Sequence, residues 1–461
     1  MAYLNATPNT VQPNNFSPNV SELLTPTSPS IKSVIRNSIH FPFRKLEMKR
    51  RLVTTALFES EWQDITKYVV QWGTYQLGVD DLRVNQFNFS GLNVTVTNDY
   101  GEFNPEYDGG SLFYGYFSRY RTLVRLSAGY TDGSGKQFPD NASQGIYVMD
   151  ANIDISPSNK EVRLLCKSII SPLQETRASE IAGITNSITS SRIVELIRDA
   201  TDGAGSYLFQ SFISSSAWDI QTTTAIIHAF NTTTALESYS VWELMQKLAE
   251  SEDYIVTATR YGGLRFIDRE PNTTGSQWTF YGQGYKDPDI ISLKNYKEAT
   301  DKLYTHVRFK YLEPDTYTSY IDSGTNTVVN VNSNEWKYGR RTYELENNFF
   351  IDTSAAQSVA DTIANEFSQL KNELTIDAFF NPTVEILDRI SVNHYEYETY
   401  SDMRWDLRTW ATETTTTDLP NVLFWADETT STIDFFGKQF KVLSKTTNLD
   451  NYVSTFLLRE I

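Results

Sequence analysis

The chain of 461 residues holds one cysteine, Cys166, and four histidines, His40, His228, His306 and His394. A single thiol excludes an intramolecular disulfide and a zinc cluster built on cysteines. The histidines are scattered, with no His-x-x-x-His or His-Glu-x-x-His spacing. The phosphate loop, the Gly-x-Ser-x-Gly nucleophile elbow and a strand-linked Gly-x-Gly-x-x-Gly are missing. No apolar run reaches the ~18 residues of a membrane span. The start, MAYLNATPNTVQPNNFSPNV, has neither a basic nor an apolar stretch, so no secretory leader is expected. The expected place is a cytoplasm, or a larger assembly built in one. Basic residues are also short: 40 Lys and Arg stand against 57 Asp and Glu, a net charge of −17. Tight non-specific binding to a phosphate backbone needs the opposite balance.

What the chain has in quantity is aromatic surface: 27 Tyr, 26 Phe and 9 Trp. Large rings suit strand faces and interfaces, where Tyr and Trp keep a polar handle. At roughly 150 residues per domain, the length suggests about three domains.

Residues 1–45 are dominated by Asn, Pro, Ser and Thr and read as an extended N-terminal arm, with a basic run from Arg44 to Arg51 at a solvated strand edge or turn. Residues 46–173 carry β signals: LVTTALF, KYVVQWGTYQL, RVNQFNFSGLNVTVTN, TLVRLSAGYT, GIYVMDANIDIS and EVRLLCKSII, separated by Gly, Asp, Asn and Ser. Such a series predicts a sandwich or small barrel. Over 174–285 the period changes. Ile193, Leu196 and Ile197 share a helix face, and Ser240 with Glu243 forms a capping box before VWELMQKLAE. YIVTATRYGGLRFIDRE reads as a hairpin turning at Gly262 and Gly263. Residues 286–461 return to strands around one helix, for which Ser354 and Gln357 offer another capping box. Polar excursions lie at 314–340 and 395–432. The expected fold is mainly β with an α+β middle region: two small tube-type β-barrel domains separated by a helix-containing domain.

No catalytic, cofactor-binding or metal-binding residue can be assigned. NDYGEFNPEYDGG carries Asp99, Glu102, Glu106 and Asp108, a possible source of paired carboxylates for glycoside hydrolysis. The same residues also describe a turn, where Asn, Asp and Gly supply left-handed positions. TDGSG from Thr131 lacks the alternating oxygens of a calcium loop and reads as a hairpin tip. His306 and His394 read as packed or hydrogen-bonded residues.

The order of these pieces resembles the tail hub proteins at the baseplate or tail tip of bacteriophages and related contractile injection systems. WQDITKYVVQWG from Trp62 is similar to the opening of their first barrel, and RVNQFNFSGLNVTVTNDYGEFNP, TLVRLSAGYT and GIYVMDANID to the strands that follow. SVWELMQKLAES and YGGLRFIDRE are similar to their middle domain. AAQSVADTIANEFSQLKNELTIDAFF, VEILDRISV, FFGKQFKVLSK and VSTFLLREI are similar to their last third, although Leu387 replaces the usual Gly of that motif. The likeness spans about residues 60–461, and its force lies in the order of the motifs.

The resemblance implies a structural virion protein with no enzymatic role and no cofactor. It implies a homotrimer, pseudo-hexameric because each chain supplies two barrels, joining the tail tube protein to a tail tip or spike protein and other baseplate proteins. DNA would pass through the lumen without specific binding. A receptor- or glycan-binding tail-tip protein, using YEYETYSDMRWDLRTWATE, is the alternative, and a glycan-degrading tail enzyme a third. Within the first reading, Trp62, Tyr68, Val69 and Phe103 are expected in the first barrel core. Phe436, Phe440, Val442, Phe456 and Leu458 are expected in the second.

Overall fold

The computed structural model describes residues 41–53, 58–79, 87–89, 91–104, 110–114, 116, 122–132, 135–139, 142–150, 154–156, 160–184, 188–202, 205, 207–223, 226–230, 233–268, 277–282, 288–312, 319–324, 334–351, 353–394 and 435–461. The chain is mainly β, with two curled sheets and few helices.

The N-terminal sheet is antiparallel and runs Gln63–Asp64, Phe41–Lys49, Leu123–Thr131, Ser143–Met149, Glu161–Ser168, Leu92–Thr97, Val69–Gln71. Alternation builds its inner face: Leu92, Val94 and Val96 are buried, as are Val162, Leu164 and Cys166 on the partner strand. Residues 63–71 join the two edges. Gln63 and Asp64 pair with Met48 and Glu47, whereas Val69 and Gln71 pair with Val96 and Thr95. A single turn of 3₁₀ helix, Thr66–Tyr68, lies between them.

The C-terminal sheet runs Trp278–Tyr281, Arg389–His394, Phe435–Asn448, Val453–Glu460, Asn372–Phe379, Ile290–Glu298. Its outer strands meet at Asp289, whose N–H donates to the Tyr281 carbonyl at 2.6 Å and whose carbonyl accepts from Phe379 N–H at 3.0 Å. Two further sheets complete the fold, one five-stranded (Ile188–Thr189, Ile226–Phe230, Thr342–Ile351, His306–Leu312, Ser319–Gly324) and one three-stranded (Trp218–Ile220, Leu264–Asp268, Tyr254–Ala258). The helices Ser190–Arg198, Val241–Glu250 and Thr353–Phe367 pack there through Ile193, Leu244, Met245, Ile363 and Phe367.

Strand membership crosses the expected domain bounds. Thr74–Val79 leaves the N-terminal sheet and pairs with Ser444–Asn448 of the C-terminal one. The turn between them is Gly73, at φ +65, where a Cβ would stand 2.4 Å from the Asn93 carbonyl oxygen, so only glycine fits. His306–Leu312, Ser319–Gly324 and Thr342–Ile351, read as second-barrel strands and excursion, belong to the five-stranded sheet with Ile226–Phe230.

Three local expectations need correction. The basic run is not a solvated edge. Phe41–Lys49 is an interior strand, paired residue by residue with Leu123–Thr131, with Leu46 and Met48 fully buried. Glu47 makes this possible, since it neutralises Lys45 and Arg125, each at 2.7 Å. Of LVTTALF, residues 54–57 fall outside the described residues, and Leu52 and Phe58 form isolated bridges with Tyr116 and Arg51. The helix expected to start at Ser354 starts at Thr353, and Gln357 donates forward to Asp361 at 2.8 Å instead of closing a box.

Tyr68, Val69 and Phe103 pack in the N-terminal core, and Phe440, Val442, Phe456 and Leu458 are fully buried in the large shared core. Trp62 instead lies outside the first core. It packs against the larger cluster, with the Arg125 guanidinium 4.5 Å from its ring centroid. Residues 1–40, the excursion at 395–432 and the side chain of Phe436 fall outside the described residues.

The Ser240 box is complete: Glu243 N–H donates to Ser240 Oγ at 3.2 Å, and Ser240 N–H to Glu243 Oε2 at 2.8 Å. Ser240→Ala is expected to cost about 1 kcal/mol in chemical denaturation.

Candidate functional site

The strands Asn372–Phe379 and Arg389–His394 are joined by FNPTVEILD, residues 380–388. Asn, Pro and Asp would ordinarily mark an exposed turn. Here most of the loop is buried: Phe380 is fully covered, and Asn381 and Asp388 are each 1% exposed. Burial on this scale requires most polar groups to be met, and much of the meeting is local, although Asn381 Nδ2 is buried without a hydrogen-bond partner. Asn381 Oδ1 accepts from Thr383 N–H at 2.9 Å and from Thr383 Oγ1 at 2.7 Å. Asp388 Oδ2 accepts from Glu385 N–H at 2.8 Å. Leu387, which stands where the resemblance expects Gly, has φ +69, a left-handed conformation costing a non-glycine residue about 1–2 kcal/mol. Its side chain is buried against Ile255 and Ile267, which offsets that strain.

All three neighbouring sheets reach the loop. From the three-stranded sheet, Arg260 Nε lies 2.8 Å from Glu385 Oε1, as an ion pair and not an aligned hydrogen bond. Its guanidinium also donates to the Pro382 carbonyl and, at 2.6 Å, to Tyr261 Oη. Arg265 reaches Glu385 Oε2 at 3.4 Å. From the N-terminal sheet, Gln144 donates to the Pro382 carbonyl at 3.3 Å, and Tyr130 Oη to the Phe380 carbonyl at 2.8 Å. Ser143 Oγ donates to the Arg260 carbonyl at 2.7 Å. From the C-terminal sheet, Lys445 Nζ donates to the carbonyls of Asn381 at 2.7 Å and Val384 at 3.0 Å.

Burial sets the charge states. It pushes Asp388 up to about 8, with the Glu385 carboxylate adding to the effect. It pushes Lys445 down to about 7, with Arg260 adding. One carboxylate and two guanidinium groups therefore carry the fixed charge, beside a carboxyl that is mostly protonated near neutrality. The arrangement fixes the mutual placement of three sheets.

A second joint lies nearby. Asp450 accepts the N–H groups of Trp72 and Gly73, each at 3.2 Å, and the Arg44 guanidinium sits 5.2 Å from the Trp72 ring and 5.6 Å from that of Tyr452. Tyr452 Oη donates to the Phe43 carbonyl at 2.6 Å.

The acidic segment is the turn. Thr97 Oγ1 donates to Asp99 at 2.8 Å, Tyr100 N–H to Glu102 at 3.0 Å, and Gly101 takes φ +77. Glu106 and Asp108 lie outside the described residues. Among the described residues no three His, Cys, Asp or Glu side chains gather as metal ligands. His306 is buried with Nε2 2.8 Å from an Arg340 nitrogen, and His394 packs on Gly282, as core residues do. Sequence reasoning missed Arg260, Glu385 and Lys445. A register shift between Val442 and Ser444 turns Lys445 inward, and that bulge leaves no mark in the residue pattern.

No protein-family model matches the chain, and no curated protein matches it. Among solved structures, a tail protein from Neisseria meningitidis MC58 superposes with a TM-score of 0.50 at 9% identity, over 90% of this chain and 96% of that one. Prophage tail protein gp18 from Listeria monocytogenes EGD-e gives 0.46 at 11% identity, over 90% and 94%. A prophage MuSo2 tail protein from Shewanella oneidensis gives 0.46 at 10%, over 90% and 98%. The likeness to the first is one of fold.

Two outcomes test the joint. Asp388 moves from 3.8 to about 8 on folding, so the folded chain holds an extra proton between those values. Its contribution to stability is complete below about pH 4 and drains away as pH rises to 8. Lys445, lowered to about 7 from 10.5, acts with the opposite slope and only above pH 7. Asp388→Asn, which keeps an acceptor for Glu385 N–H, should therefore flatten the decline in denaturation midpoint between pH 4 and 7. Arg260→Ala should cost about 3 kcal/mol, the low end for breaking a buried pair, because Arg265 stays beside Glu385.

Proposed function

We propose that the chain is a structural part of a virion tail: a hub that forms a trimeric ring between the tail tube and the tail tip or spike, around the DNA exit channel. The observation that carries this reading is two curled sheets within one chain, both in contact with the buried 380–388 loop, with the strand Thr74–Val79 crossing from the N-terminal segment into the C-terminal sheet. Three such chains present six similar sheets and can match sixfold geometry on one side and threefold on the other. A closed ring ends a head-to-tail contact that would otherwise grow into a fibre. The fold shared with a tail protein supports the same reading. A structural role fits better than a catalytic one, because Asp99 and Glu102 are engaged in their own turn.

A net charge of −17 suits a wall that DNA must pass, since a cationic lumen would hold the duplex through counterion release. Native mass measurement and electron microscopy of the purified chain, alone and with tube protein, should give a ring of three. A chain that stays monomeric in both conditions and binds glycan by itself would overturn the hub in favour of a receptor-binding part.

A further inference from the structure

Cations are scarce in this chain, and the fold consumes much of its longest basic run. Between Arg44 and Arg51, Lys45 pairs with Glu47 at 2.7 Å and Arg50 is buried against Glu59. The segment NEWKYGRR, residues 334–341, is arranged differently. It sets Lys337, Arg340 and Arg341 against the single acid Glu335. Among the described residues, none of these cations forms a salt bridge with a carboxylate. Arg340 lies 2.8 Å from the His306 ring nitrogen, and Arg341 donates to the main-chain carbonyls of Thr300 and, at 3.0 Å, Asp301. Asp322, 3.6 Å from the same imidazole, is held by Arg308 at 2.9 Å.

Two rings stand beside these charges in the open: Trp336 is 55% exposed and Tyr338 38%. The short helix that carries them, Asn334–Tyr338, is tied down at its end. Gly339 N–H donates to the Glu335 carbonyl at 2.9 Å and Arg341 N–H to Thr305 Oγ1 at 3.0 Å. The Arg341 carbonyl accepts from the N–H groups of Thr305 and His306 at 3.0 and 3.1 Å. An exposed surface fixed in this way loses little conformational entropy when a partner covers it. Trp, Tyr and Arg are also the side chains that dominate binding energy in protein interfaces.

We propose that this knuckle, Trp336 to Arg340, docks on an acidic face of a second copy of the chain as the head-to-tail contact of the ring, an inference that rests on the trimeric hub reading. Charge selects the occupant. The chain is net −17 while this segment is net positive, so a neighbouring copy offers carboxylates in excess. A contact in a closed ring joins two different faces of the same chain, and a basic face on an acidic chain then finds its complement on every neighbour.

Rings assembled with tube protein from an equal mixture of nitrogen-15-labelled and unlabelled chains test this. A carbodiimide joins amines to carboxylates without a spacer, and peptide mass spectrometry should then show Lys337 linked to an Asp or Glu of the other isotope. Trp336→Ala and Lys337→Glu, both at exposed positions, should raise the concentration at which the ring dissociates at least tenfold with the circular dichroism spectrum unchanged. Undiminished assembly of both variants, or the absence of any such link, would overturn the docking and leave the hub reading intact. A wild-type chain that stays monomeric with and without tube protein would overturn both. Variants that form normal rings but lose binding to tube protein or to duplex DNA would give the knuckle to that partner and remove it from the contact between copies.

Discussion

Three sheets with different strand orders meet on nine residues among which Asn381, Pro382, Glu385 and Asp388 would ordinarily mark an exposed turn. The 380–388 loop can be buried only because its carbonyls and carboxylates are answered from all sides: by Arg260 and Arg265, by Gln144 and Tyr130, and by Lys445. Loss of Lys445 or Tyr130 removes the donor to a buried loop carbonyl, at a cost larger than the gain from the contact itself, whereas the Pro382 carbonyl and Glu385 each keep a second partner. Such a joint specifies geometry more than it adds stability. Apolar packing between sheets tolerates small slides, whereas an ion pair and aligned carbonyls do not.

That distinction matters for a part whose proposed work is to hold a shape. If two curled sheets stand in for neighbouring positions of a sixfold ring, their relative angle is the functional quantity, as a catalytic distance is in an enzyme. The Arg44, Trp72, Asp450 and Tyr452 joint constrains the same angle from a second point, and two separated fixings resist rotation better than one.

Local signals in the sequence were read well. The Ser240 box, the helix Val241–Glu250 and the turn at Gly262 depend on residues within a few positions of each other. The β character and the order of motifs were legible for the same reason. What stayed hidden depends on distant partners. Phe41–Lys49 looks like a solvated charge run because its pairing with Leu123–Thr131, and the Glu47–Arg125 ion pair across it, join segments far apart in the chain. The joint was illegible because Arg260, Glu385 and Lys445 lie far apart in the chain, and a bulge decides that the lysine faces inward. The departure at Leu387 was visible as a missing Gly, but its meaning, a strained residue buried against Ile255 and Ile267, needed coordinates.

The strand Thr74–Val79 has a consequence for how the molecule is made. On one side it pairs with Phe87–Phe89, made just after it, and on the other with Ser444–Asn448, made long afterwards. One edge of the early strand can therefore pair at once, while the other waits until its distant partner has been made. The N-terminal curled sheet draws all its strands from residues 41–168, so the C-terminal sheet is the one whose completion waits. Until that pairing forms, the waiting edge of Thr74–Val79 is exposed to pairing with another copy.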